Sequence, residues 1–239
     1  MVGLRLNSGV SLSGRSGCPW CGHKLSWYEL VPVLSFLFLR GRCKECKSRI
    51  SIQYPVIEIL TGLVFVSLFI VFGLTPYFLL LTTVFSIYIA IVIYDFRHKI
   101  IPNNLIYPAI VLSLGFGIWR FVCDLDFGIW DLLAGPIIFS FFSSIWILSG
   151  GKAVGFGDAK LGLSLGLLLG ARLGFSAIIM GFWLGAGIML VVMLISRISG
   201  LLRGVKKLTM KSEIPFAPFL ILGAWASIIY ELNLLQIPY

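Results

Sequence analysis

Two carboxylates and four thiols are placed where chemistry could be done. Asp95 lies in "IYDFRHKIIPN" (93–103) and Asp158 in "GFGDAKL" (155–161), each at the edge of a long apolar stretch. A carboxylate in that position is costly, and function is the default reading. Two carboxylates at one level are the minimum equipment for acid–base hydrolysis: one deprotonates a water while the other protonates the substrate carbonyl. The glycines of "GFGD" would let a substrate backbone come close without a side chain in the way. The plainer alternative makes Asp158 a helix N-cap and Asp95 a partner for Arg97 or Lys99.

The thiols come as "CPWC" (18–21) and "CKEC" (43–46), two C-x2-C pairs separated by 21 residues. Four thiolates in two tight knuckles suit a tetrahedral structural Zn2+ held by Cys18, Cys21, Cys43 and Cys46. Disulfides compete with this reading, but they rarely persist in the reducing cytosol. A redox C-x2-C would need one pair and a thioredoxin-like context. A site closed by four sulfurs keeps no open position for a catalytic water, so its expected role is in folding. Cys123 stands alone and reads as a small apolar residue.

Elements able to hold these groups follow from composition. Of 239 residues, 59% are hydrophobic and only 12% charged, too apolar for a wetted soluble surface. Uncharged runs such as 75–94 match a bilayer thickness in helical residues. The fold class is therefore an all-α polytopic membrane protein. About seven transmembrane helices are expected, near 53–73, 76–95, 104–122, 128–149, 158–170, 174–196 and 214–232. The fifth, "LGLSLGLLLGARLG", is short and reads as a tightly packed interior helix. A polar block, 1–52, forms a small N-terminal tetracysteine module, and 53–239 forms the membrane domain. The opening "MVGLRLNSGVSLSGRSG" has no secretory h-region, so the N-terminus is expected outside the membrane.

With the first block in the cytoplasm and one crossing per segment, seventeen of the nineteen Lys and Arg residues fall on the cytoplasmic side, leaving Arg120 and Arg172 outside. The net charge of +9 is thus topological and no nucleic-acid footprint, though it also suits anionic lipid. On this topology Asp95 ends the second segment as it reaches the cytoplasm, and Asp158 opens the fifth as it leaves. Asp158 meets the positive end of a helix macrodipole and is assigned as base; Asp95, at a negative end, is assigned as acid. Such a dyad titrates as a pair. Asp124, Asp126 and Asp131 cluster at an outer loop. Lys160 either steadies charge near Asp158 or is a topological lysine, and His98 is read as an interfacial polar residue.

The combination of motifs resembles the type IV prepilin peptidase family, bifunctional leader peptidases and N-methyltransferases of pilus and type II secretion systems. "CPWCGHKLSWYELVPVLSFLFLRGRCKECKSRISIQYPVIEILTG" is similar to the family's cytoplasmic zinc-type module, "YDFRHKIIPN" and "GFGDAKL" to its two aspartate motifs, and "IPFAPFLILGA" to a late motif. The resemblance implies a G-x-G-D membrane aspartic peptidase with Asp95 and Asp158 catalytic, and Cys18, Cys21, Cys43 and Cys46 as the tetracysteine set. It implies prepilin or pseudopilin substrates, cut after a glycine at the cytoplasmic face of the bacterial inner membrane. S-adenosylmethionine would then methylate the new N-terminus. No nucleotide fingerprint supports that second activity, since "GFGDAKLG" breaks G-x-G-x-x-G at Lys160. Glu58 is a candidate contact for the methyl donor or the pilin amine, against a plain helix-interface hydrogen bond. Two departures stand out. Only "MVGLRL" stands where the family usually has another membrane segment, and Asn103 replaces a usual aspartate, which is expected to alter positioning more than activity. A proton- or cation-coupled transporter using Asp95 and Asp158 is the alternative, although no carboxylate continues the path through the membrane and no inverted halves are visible. A non-catalytic scaffold would tolerate asparagine at both positions.

Overall fold

The computed structural model describes residues 17–123, 127–202 and 215–235. Among these the regular structure is helical, with only isolated β-bridges. After a 3-10 turn at Trp27–Leu30 come α1 (Leu34–Phe38), α2 (Gln53–Phe72), α3 (Pro76–His98), α4 (Asn103–Cys123), α5 (Ile129–Leu148), α6 (Phe156–Leu202) and α7 (Ala217–Ile229). Five of them, α2 to α6, are long and apolar enough to cross a membrane, while α7 is a shorter apolar helix. Arg197, Arg203, Lys206, Lys207, Lys211 and the outer-loop Asp124 and Asp126 lie where no side chain is described.

The chain divides into two compact units, Met1–Phe78 and Leu79–Tyr239, with the division falling near the start of α3. The first holds two knuckles of similar build. Gly17 pairs with Lys24 around Cys18–Cys21, and Arg42 pairs with Arg49 around Cys43–Cys46. In each, the first cysteine's N–H donates to a carbonyl five residues on: Cys18 to His23 and Cys43 to Ser48, both at 2.9 Å. The sharp return needs a left-handed residue, supplied by Gly22 (φ 70°) in one knuckle and Lys47 (φ 57°) in the other. Cys43 is the one buried hydrophobic residue described before Leu68, so the module has almost no apolar core.

In the second unit α6 is the central element, packing on α4, α5 and α7. Its first half is buried nearly all round, with Leu161, Leu165, Leu168 and Ser164 fully inaccessible. This explains a segment too short to span a bilayer alone: it is surrounded by protein. Small residues set the spacing, as expected where lipid supplies no hydrophobic drive between helices. A Cβ on Gly166 would sit 2.6 Å from the Gly135 backbone of α5, and one on Gly223 of α7 would collide with the Ala177 carbonyl.

The fifth and sixth expected segments form one helical element broken at Gly170, whose φ of 78° and ψ of −174° are non-helical. The break frees backbone donors, and Asp131 meets the need. Its Oδ1 accepts the Ala171 N–H at 2.7 Å and its Oδ2 the Gly128 N–H at 2.9 Å, capping α5 and the α6 break together. Asp131, grouped by sequence with an outer acidic cluster, therefore has a structural role.

Candidate active site and metal centre

Asp95 lies in the last turn of α3, which ends because Lys99 turns left-handed (φ 53°) with its N–H on the Asp95 carbonyl at 2.8 Å. Four residues later Asn103 opens α4 behind Pro102. This short connection keeps Asp95 and Asn103 at one end of the helix layer. The loop residue Ile101 then packs on Gly157 of α6: a Cβ there would lie 2.9 Å from the Ile101 Cβ. Gly157 is thus required for the approach of the α3–α4 loop to the start of α6, where Asp158 stands. Phe156, beside it, rests on Phe139 and Trp146 of α5 at 6.0 and 5.2 Å between ring centroids.

These contacts bring Asp95 and Asp158 together closely enough for their charges to interact. Asp158 is the third residue of α6, and its Oδ2 accepts the Gly155 N–H at 3.2 Å. It stands inside the first turn and not at the N-cap position of the plainer reading, and its carboxylate holds the N–H of the capping residue Gly155. Asp95 is 5% exposed. Its Oδ2 has no hydrogen-bond partner among the described residues. A buried, unpartnered carboxyl oxygen is expensive, and a substrate carbonyl or a water could complete it.

Lys160 does not steady Asp158. Its Nζ donates to Asn103 Oδ1 at 2.8 Å and to Tyr107 Oη at 3.4 Å, and lies over the Tyr107 and Phe156 rings. It pins α4 to α6 through Asn103 and Tyr107. His98 stacks on Tyr94, 4.2 Å between ring centroids. One feature had no signal in the sequence reading, because it is uncharged. Tyr88 Oη, Ser164 Oγ and Ser113 Oγ form a fully buried chain at 2.9 and 3.0 Å, joining α3, α6 and α4. Such a satisfied polar network fixes helix register, here two turns before Asp95.

Replacing Gly157 should separate the loop from α6 and misplace the pair. Gly157→Val is expected to slow peptide cleavage by about 10²-fold, the usual cost of an ångström-scale displacement. Trimming the opposing side chain with Ile101→Ala should restore part of the rate. Cleavage assays at matched protein levels check both.

In the first unit the four cysteines are free, with their sulfurs all within 4.8 Å of one another and Cys18 Sγ 3.8 Å from Cys46 Sγ. Tetrahedral zinc–thiolate bonds of about 2.3 Å imply sulfur separations of about 3.8 Å, so the cluster fits a metal ion. Electrostatics agrees. The backbone N–H groups of Cys21 and Trp20 bring the Cys18 thiol down to about 6. The His23 backbone favours the Cys21 thiolate, yet desolvation and the sulfurs of Cys46, Cys18 and Cys43 outweigh it and push that thiol up to about 11. Crowded thiolates of this kind are what a dication relieves.

Glu29 braces the module. Its Oε2 accepts the Ser26 N–H at 2.7 Å and contacts His23 Nε2 at 3.2 Å, and its side chain is 1% exposed. The Ser26 N–H holds its carboxyl below the usual range against the effect of burial, with His23 assisting. A depressed folded value stabilises the fold above the unfolded value of about 4.3 and is lost as pH falls through the folded one. Acid loosening of residues 17–52, followed by hydrogen exchange, should therefore lose this component in Glu29→Gln. Glu58 is exposed on the second turn of α2, and its Oε2 accepts the Val33 N–H at 2.8 Å.

Residues 1–72 match the bacterial peptidase A24 N-terminal domain, and residues 80–205 match the type IV leader peptidase family. The chain is 30% identical to a prepilin leader peptidase/N-methyltransferase of Aeromonas salmonicida (strain A449), over 90% of this chain and 71% of that protein. It is 30% identical to one of Bacillus subtilis (strain 168), over 96% and 87%, and 28% identical to one of Pseudomonas putida, over 90% and 72%. No solved structure matches. With both family regions in order along one helical chain and relatives aligned across nearly all of it, the protein belongs to the type IV leader peptidase family.

Proposed function

We propose that the protein is a membrane aspartic endopeptidase that removes the leader from type IV prepilins or pseudopilins and methylates the new N-terminus with S-adenosylmethionine. The observation that carries the peptidase reading is the juxtaposition of Asp95 and Asp158 at facing helix ends within the matched peptidase region. One carboxylate takes a proton from water as the water oxygen bonds to the scissile carbonyl carbon. The other gives its proton to the carbonyl oxygen, and collapse of the adduct breaks the C–N bond with the proton passing to the departing amine. Asp158, held by the Gly155 N–H at a helix N-terminus, is assigned as base; Asp95, with its unpartnered Oδ2, is assigned as acid.

Cys18, Cys21, Cys43 and Cys46 would hold Zn2+, which closes the knuckles and supplies no catalytic position. The methyl donor supplies an electrophilic methyl group for the free amine, and Glu58, exposed with one oxygen on Val33, is the candidate contact. The charge distribution supports an inner-membrane protein with residues 1–52 as a cytoplasmic module and 53–239 as the transmembrane peptidase domain. The relatives' names and the matched families favour this reading over a transporter.

The test is mass analysis of a prepilin incubated with the purified full chain in lipid nanodiscs. Leader loss after the glycine is expected, with one added methyl group when S-adenosylmethionine is present. An intact prepilin would refute the peptidase reading, and an unmethylated product the second activity.

A further inference from the structure

The segment 33–42 has no place in either chemistry, and its build is unusual. α1 is five residues long and none of them is buried. Leu34, Leu37 and Phe38, at i, i+3 and i+4, share one face and are 52%, 63% and 84% exposed. The protein does not cover this face: an open hollow of about 350 Å³, lined by Leu34 and Phe38 with Tyr28, Val31 and Leu39, adjoins it. Its N-cap, Val33, holds φ at 61°, a left-handed conformation that a β-branched residue resists. Protein packing within this unit therefore accounts poorly for α1.

A single hydrogen bond fixes its height. The Val33 N–H donates to Glu58 Oε2 at 2.8 Å, and Glu58 is five residues into α2, which begins at Gln53. At ~1.5 Å per residue this ties the start of α1 ~7.5 Å along a helix whose 20 residues match a bilayer core. That is the depth at which amphipathic segments lie in the headgroup and acyl boundary. Directly after α1 come Arg40 and Arg42, both exposed, and six basic residues stand against two acidic ones between 17 and 52.

We propose that α1 is an interfacial anchor: Leu34, Leu37 and Phe38 enter the boundary of the bilayer that α2 crosses, and Arg40 and Arg42 bind the phosphates of its anionic lipids. This goes beyond the peptidase reading and rests on the membrane reading of α2 alone. The apolar face is thereby buried, and the tetracysteine module is held against the membrane plane.

The test places a photoreactive benzoylphenylalanine at position 37, 38, 45 or 69 of the full chain, in nanodiscs of equal phosphatidylglycerol and phosphatidylcholine. Lipid adducts are read by intact mass. Position 69, half-exposed in the last turn of α2, reports on the membrane reading, and the exposed position 45 on background. Lipid adducts at 37, 38 and 69 but not at 45 are expected. The 37 and 38 adducts should favour phosphatidylglycerol by about fivefold per arginine engaged, and Arg40→Gln with Arg42→Gln should bring the two lipids level. Adducts at 69 without any at 37 and 38, or adducts at 37 and 38 to protein, overturn the anchor while α2 remains a membrane helix. Equal use of the two lipids at 37 and 38 by the chain that keeps Arg40 and Arg42 overturns it as well. Absence of lipid adducts at 69 overturns the membrane reading of α2, and the anchor with it.

Discussion

Asp95→Asn and Asp158→Asn should each lose leader removal by about 10²–10⁴-fold while the protein still inserts and folds. Asparagine keeps the shape of aspartate and can still accept a hydrogen bond, so the Gly155 N–H keeps a partner at position 158. What is lost is the ability to exchange a proton. The two effects should not add: once either half of a coupled pair is missing, the double variant is expected to be little worse than each single one. A structural role predicts the opposite pattern, with cleavage retained and stability reduced. Cleavage by membranes carrying each variant at matched levels, read as leader loss by mass, distinguishes the two. Glu58→Gln should leave leader removal intact and serves as the comparison.

Removing the metal should unfold the tetracysteine module. A segment this small has too little apolar area to bury, and metals usually supply the difference below about 40 residues. Cys43 is its one buried hydrophobic residue among those described, and structural zinc supplies on the order of 10 kcal/mol in comparable units. Cys43→Ser, or a strong chelator, is therefore expected to expose residues 17–52 to protease and to release one metal ion per chain. Digestion with metal quantified by mass spectrometry checks this. Protection unchanged after complete metal removal would show that Glu29, Lys44 and the backbone pairs hold the module unaided. Lys44 is part of that alternative because its Nζ donates to Tyr28 Oη at 2.8 Å across the module.

The parts of this architecture readable from sequence were those with strong one-dimensional signals. Apolar runs of bilayer length gave the helices, and the spacing of the two C-x2-C pairs gave a cluster that the structure closes to within 4.8 Å. Asp95 and Asp158 could be put at one level because each lies where a charged loop meets an apolar run, and the basic residues assign those loops to a side. What escaped depended on contacts between distant residues. Lys160 is close to the "GFGD" motif, so sequence offered service to Asp158 or a topological role, whereas its partners Asn103 and Tyr107 lie more than 50 residues away. Asp131 looked like one of three loop acids, and only the break at Gly170 shows why its carboxylate is needed. The Tyr88–Ser164–Ser113 chain left no trace because hydroxyls are common in membrane helices and carry no topological information.

The most direct test of the aspartate pair is the pH dependence of kcat/KM for leader removal by the reconstituted protein. A base that must be ionised and an acid that must be protonated give a bell, rising on one limb and falling on the other with unit slope. That bell is expected for the unsubstituted chain, with both limbs retained in Glu58→Gln. A profile with a single ionisation, lacking the acid-side limb, would contradict it and leave Asp95 and Asp158 as structural carboxylates.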